Sequence, residues 1–98
     1  MDVIVPMKPI TSSQATAGMR RPFIRAFGRS WVANRLAQCA WPAFQAALLH
    51  GAGITTAASH ARVAAEERNL RTALVARWSS RRIAGAVQRA ADAAANAT

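Results

Sequence analysis

Apolar side chains recur at helical spacing over most of the chain, and the places where that spacing fails mark the predicted element boundaries. Phe23, Phe27 and Trp31 recur every four residues, while Arg21, Arg25 and Arg29 do the same on an offset stripe. On a helix these stripes are two faces of one amphipathic segment. The next stretch is the most apolar, with Leu36, Cys39, Trp41, Phe44, Leu48 and Leu49 separated by alanines, and Pro42 inside it predicts a kink or a new helix start. A break near Gly28, with Ser30 capping a second helix, fits the same pattern.

Gly51-Ala52-Gly53 is the clearest turn signal, Gly51 suiting a helix C-terminus and Gly53 the turn after it. Thr55, Thr56 or Ser59 can then cap the following helix, within which Arg62–Glu66 and Glu67–Arg71 stand four residues apart. There Val63, Leu70, Leu74 and Trp78 share one side, and Ala61, Ala65, Thr72 and Ala76 form a second face small enough for close helix approach. Ser79-Ser80 interrupts that phase. Beyond it Ile83, Val87, Ala90 and Ala94 form a new apolar face opposite Arg81, Arg82, Arg89 and Asp92.

These patterns predict an all-α protein, a small helical hairpin or bundle with an extended N-terminal arm. The arm covers residues 1–19, where Pro6 and Pro9 oppose a helix and Val3-Ile4-Val5 reads as an edge strand or apolar plug. Residues 20–98 make a single helical domain, with helices over roughly 21–40, 42–50, 57–78 and 80–96. The short connection at Gly51 to Gly53 makes the flanking helices antiparallel neighbours.

Composition weakens the core that this pattern promises. The hydrophobic fraction of the 98 residues is 52% but aromatics are only 6%, and alanine supplies much of the remainder. Alanine buries little area, so association with a partner or with a second copy is expected. The charge balance is 13 Lys+Arg against 4 Asp+Glu, net +9, and only Lys8 among the cations is lysine. Arginine forks bind phosphate and carboxylate bidentately and stack on bases.

The chemistry-bearing residues are few. His50 and His60 stand ten apart, and with Cys39 they cannot supply a structural zinc set within one chain. Glu66 and Glu67 are adjacent and diverge by about 100° on a helix, a poor arrangement for paired-carboxylate catalysis. Nucleotide-binding, hydrolase and redox motifs are missing, so the reading is of a non-enzymatic protein that needs no cofactor and no metal. Cys39 reads as a small buried apolar residue, and His50 as lying near a helix C-terminus. Ala47 and Gly51 match the turn of a helix-turn-helix, but Ala57 and His60 fill positions that should be bulky and apolar, and the motif is not assigned.

The functional expectation is therefore binding to a polyanion, with nucleic acid or a nucleoprotein assembly first. The candidate anion-binding residues are Arg20, Arg21, Arg25 and Arg29 in one cluster and Arg77, Arg81, Arg82 and Arg89 in another. Phe23 and Phe27 read as core in preference to base-stacking platforms. The second reading is a small accessory or inhibitory protein docking on a protein complex through Trp31, Trp41 and Trp78. Third comes a peripheral membrane or organelle-targeted helical protein, since Met19 to Ala47 is arginine-rich and poor in acid. The uncharged run from Leu36 to Ser59 is long enough for a membrane span but is diluted by Gln38, Pro42, Gln45, Gly51 and Gly53. A lone cysteine suits a reducing intracellular compartment, with an organelle as the alternative.

Overall fold

The computed structural model describes the backbone of residues 13–97 and the side chains of residues 16–97. Four helices follow one another, α1 (Ser13–Phe27), α2 (Trp31–Leu49), α3 (Ile54–Asn69) and α4 (Ser80–Asn96), with a 3-10 turn at Leu74–Ala76. Each packs against its neighbour in sequence, and α4 closes back on α1. The cross-contacts fix an up-down-up-down order: Thr16 meets Gln45 across α1 and α2, Phe27 meets Trp78 across α1 and the start of α4, and Glu66 meets Ser80 across α3 and α4. The all-α bundle expected from the periodicity is the observed fold. The expected arm lies outside the described residues as far as residue 12. From Ser13 onward that segment is helical instead, because Ser13 to Met19 continues the phase of the Phe23 stripe and buries Thr16 and Met19.

An aromatic cluster built around Phe23 fills the centre. Its ring lies 4.8 Å from Phe44, 5.4 Å from Trp41 and 5.7 Å from Phe27, and Phe27 in turn stacks at 6.5 Å on Trp78. Met19, Leu36, Leu48, Ile83 and Val87 surround this cluster as the buried aliphatic side chains. Alanine makes up most of what faces them: Ala57, Ala61 and Ala65 from α3, and Ala86, Ala90, Ala91 and Ala94 from α4. Small side chains let these helix backbones approach the aromatic layer closely, so the total volume stays matched to the available space.

Local chemistry sets the boundaries. Gly28 takes φ +118° to end α1, and Ser30 caps α2 by accepting from the Ala33 N–H at 3.0 Å. Gly51, at φ +92°, closes α2 with paired bonds from the Gly51 N–H to Leu48 O and from the Ala52 N–H to Ala47 O, a Schellman ending with His50 as C-cap. Ser79 caps α4 through the Arg82 N–H. α3 starts at Gly53 without a side-chain cap, so Thr55 and Thr56 fall inside its first turn and Ser59 returns its hydroxyl to Thr55 O.

Three expected boundaries shift. The helix expected over 21–40 is divided at Gly28 into α1 and α2, α2 runs unbroken past Pro42 where a new helix is expected, and Pro22 sits inside α1. At both prolines the carbonyl that loses its donor belongs to an exposed residue, Gln38 or Gly18. The helix expected over 57–78 ends at Asn69 because the Asn69 side chain takes over the backbone of Trp78. Its Nδ2 donates to Trp78 O at 2.9 Å, and its Oδ1 accepts from the Trp78 N–H at 3.0 Å, both bonds being buried. Of the side shared by Val63, Leu70, Leu74 and Trp78 only Trp78 is buried, whereas Ala61, Ala65 and Thr72 of the small-residue face are buried.

A polar contact ties α3 to the start of α4. The Glu66 carboxylate accepts from Arg62 Nε and from the Ser80 hydroxyl, both at 3.0 Å. The hydrogen bonds from Arg62 and Ser80, reinforced by the Arg62 charge, hold the Glu66 carboxyl below the usual carboxylate range.

Two stability outcomes follow from this packing. Phe23→Ala should cost about 3–5 kcal/mol in chemical denaturation, enough to threaten folding in so small a domain, while Leu74→Ser should stay within about 0.5 kcal/mol of wild type. For Glu66, folding depresses the pKa, so its ionised form adds stability above the ordinary carboxylate range and loses it as pH falls through the folded-state value. The stability gap between wild type and Glu66→Gln should therefore be present at pH 7 and vanish in acid; a gap constant down to pH 2 would exclude this role.

Candidate anion-binding face

Helix periodicity and the contacts above place each arginine around the bundle. On α1 the stripe of Met19, Phe23 and Phe27 faces inward, so Arg21 and Arg25 point outward. Arg20 is turned toward α2, where its Nη2 donates to Gln38 Oε1 at 3.4 Å. On α4 the side that meets α3 is marked by Ala84, Val87, Gln88 and Ala91, which line the α3–α4 groove. Arg82 and Arg89 lie on the other flank, toward α1, and Arg81 lies nearer α3.

Arg21, Arg25 and Arg29 from α1 and its closing loop are exposed, as are Arg82 and Arg89 on the flank of α4 that faces α1, and α1 packs against α4 along one seam. Small residues keep the seam low, and Gly85 lets Arg89 lie along α4, where an added Cβ would sit 3.4 Å from its Nη1. On the opposite flank of α1, the exposed Trp31 carries the Arg35 guanidinium at 5.5 Å.

No carboxylate shares this face among the described residues. α1 contains none, Asp92 on α4 accepts from Gln88 on the α3 side, and the ion pair among the described residues, Arg62–Glu66, belongs to α3. Arg81 and Arg82 moreover occupy the first turn of α4, which holds no acidic residue. Cations there oppose the helix dipole at a cost of about 0.3–1 kcal/mol each, and they add to the positive potential of the free N–H groups.

Not every expected site residue joins. Arg77 is engaged internally, its Nε donating to Thr72 O at 2.9 Å and its Nη2 to Leu70 O at 2.6 Å, which fixes the α3–α4 loop. Arg82 lies 4.0 Å over the Trp78 ring, covering that side chain while its charge stays at the surface. Trp41 and Trp78, expected as interface anchors, are 5% and 8% exposed and belong to the core; Trp31 is exposed, because the break at Gly28 carries it off the Phe23 stripe. Phe23 and Phe27 are core as well.

One grouping escaped the sequence spacing. The α2–α3 turn brings His50 and His60 to a shallow depression lined by Ala43, Ala46, Ala47 and Ala52. No cluster of three metal-ligating side chains exists among the described residues, and Cys39 is half-buried and free. Among the described residues no helix is long and apolar enough to cross a membrane. No family model, curated protein or solved structure matches the chain.

Proposed function

We propose that the protein binds nucleic acid through the α1–α4 face, holding the phosphate backbone with Arg21, Arg25, Arg29, Arg82 and Arg89. The observation that carries this reading is that α1, with exposed Arg21 and Arg25, packs against α4, with exposed Arg82 and Arg89 on the flank toward α1, and that no carboxylate lies on either flank among the described residues. Arginines that served only solubility would gain from paired acids nearby, and exposed guanidinium groups on adjacent helices without such acids repel one another. A polyanion relieves that repulsion and releases its counterions on binding. Each helix supplies a row of forks, and antiparallel packing sets the rows side by side, a layout suited to a backbone running along the seam.

The arrangement favours contacts to phosphate over reading of base edges, so binding should vary little with sequence and strongly with salt. With about four to six phosphate contacts, the logarithm of affinity for a duplex should fall against the logarithm of salt with a slope on the order of −4 to −5. Replacing Arg21, Arg25 and Arg89 together by glutamine should weaken binding to all sequences and flatten that slope by about two to three. These three side chains cover no core residue, whereas Arg82 shields Trp78 and is best left in place. Arg62→Gln, on the far side of the bundle, should leave the slope unchanged. Fluorescence anisotropy over a salt series measures all three proteins; failure of folded wild type to bind at low salt, or an unchanged slope in the triple variant, would overturn the proposal.

A further inference from the structure

A second surface stands apart from the arginine face. The α3–α4 loop projects Leu70, Leu74 and Val75 into solvent at 67%, 77% and 98% exposure, although the interior is short of large aliphatic side chains. The loop is firmly built. Asn69 clamps both backbone groups of Trp78, Arg77 caps the carbonyls of Leu70 and Thr72, and the Thr72 hydroxyl donates to Arg68 O. Backbone bonds from Thr72 to Asn69, Ala76 to Ala73 and Arg77 to Leu74 close the rest of the turn.

We infer that this loop is a membrane-docking tip, placing Leu74, Val75 and Leu70 in the interface of a bilayer that carries anionic lipid. Three features point to lipid. First, the carbonyls of Leu70, Thr72, Ala73 and Leu74 and the Asn69 amide are already bonded within the loop, which lowers the cost of moving this backbone out of water. Second, that same bonding leaves few directional groups for registering a protein partner, while aliphatic side chains neither stack on bases nor bond to them. Third, exposed arginines not engaged by the loop carbonyls flank the tip, Arg71 from the loop and Arg81 from the start of α4, and attract anionic headgroups as the apolar tip enters.

The same collar opposes the other occupant of simple chemistry, a second copy of the chain. Two tips meeting head-on would bring their arginines together in a molecule already at +9. Geometry favours the lipid orientation too. The up-down order puts the α1–α2 loop at the same end as the α3–α4 loop, so exposed Trp31 lies at that end, where an interfacial tryptophan is at home. At the opposite end, residues 45–61 and 90–97 contain no Lys or Arg. The inference is independent of the nucleic-acid reading.

Flotation with vesicles tests it. Wild type should co-float with vesicles of three parts phosphatidylcholine to one part phosphatidylglycerol and remain unbound with phosphatidylcholine alone. Leu74→Ser/Val75→Ser should lose about tenfold in partitioning, and Leu74→Phe/Val75→Phe should keep or strengthen it, while duplex binding stays at the wild-type level in both. Both pairs are exposed, and circular dichroism confirms that the variants remain folded. Absence of wild-type flotation would overturn the inference and leave the tip to a protein pocket. Equal partitioning of the serine variant would overturn it as well, assigning the binding to arginine charge alone, and so would equal binding to the neutral vesicles.

Discussion

The contacts of Phe23 determine how the rest of the chain is used. Its ring touches Phe27, Trp41 and Phe44, and Phe27 passes the contact on to Trp78, so residues from α1, α2 and the start of α4 share one aromatic layer. A bundle this small cannot also place large side chains on the faces opposite without overpacking. α3 accordingly enters through Ala57, Ala61 and Ala65, and most of the buried face of α4 is alanine. The alanine richness that makes the core look thin in composition is what allows four helices to close around so concentrated an aromatic centre.

That division of labour decides which residues are left for the surface. Once alanines take the inner face of α3, its Val63 turns outward, and the helix ends early enough that Leu70, Leu74 and Val75 never enter a helical face. The arginines are sorted by the same geometry. Those on α1 and α4 occupy outward positions beside a shared seam, whereas Arg62 and Arg77 are drawn into structural work by Glu66 and by the loop carbonyls. The basic charge seen in the sequence thus divides into a structural part and an unneutralised part, and only the second is available to a ligand.

The sequence was legible wherever one local rule governed the outcome. The phases of Phe23–Phe27 and of Ile83–Val87–Ala90–Ala94 identified the buried faces of α1 and α4, and Gly28, Ser30, Gly51 and Ser79 marked boundaries through their own backbone or capping chemistry. It misled where two rules competed. Pro42 breaks a helix by local reasoning, but Trp41 and Phe44 on either side are held in the core and the freed carbonyl faces water. The end of α3 was hidden because Asn69 acts on Trp78, nine residues ahead, a pairing that no short-range signal announces. For the candidate site, spacing identified the arginine clusters but not their placement, because α4 returns beside α1 only through the tertiary fold.

Several of these features oppose stability. Arg81 and Arg82 stand in the first turn of α4, where an acid would be favoured, and Gly85 interrupts the same helix at a cost of about 1 kcal/mol relative to alanine. Three aliphatic side chains face water from a loop that Asn69 and Arg77 pin by side-chain hydrogen bonds. A sequence shaped for folding alone would place glutamate before arginine on α4, alanine at Gly85 and polar residues at Leu74 and Val75. Each departure falls on one of two surfaces, the α1–α4 seam or the loop tip, and none falls in the aromatic core. Local conflict with the fold that concentrates at the surface in this way is what the two proposed binding surfaces would require.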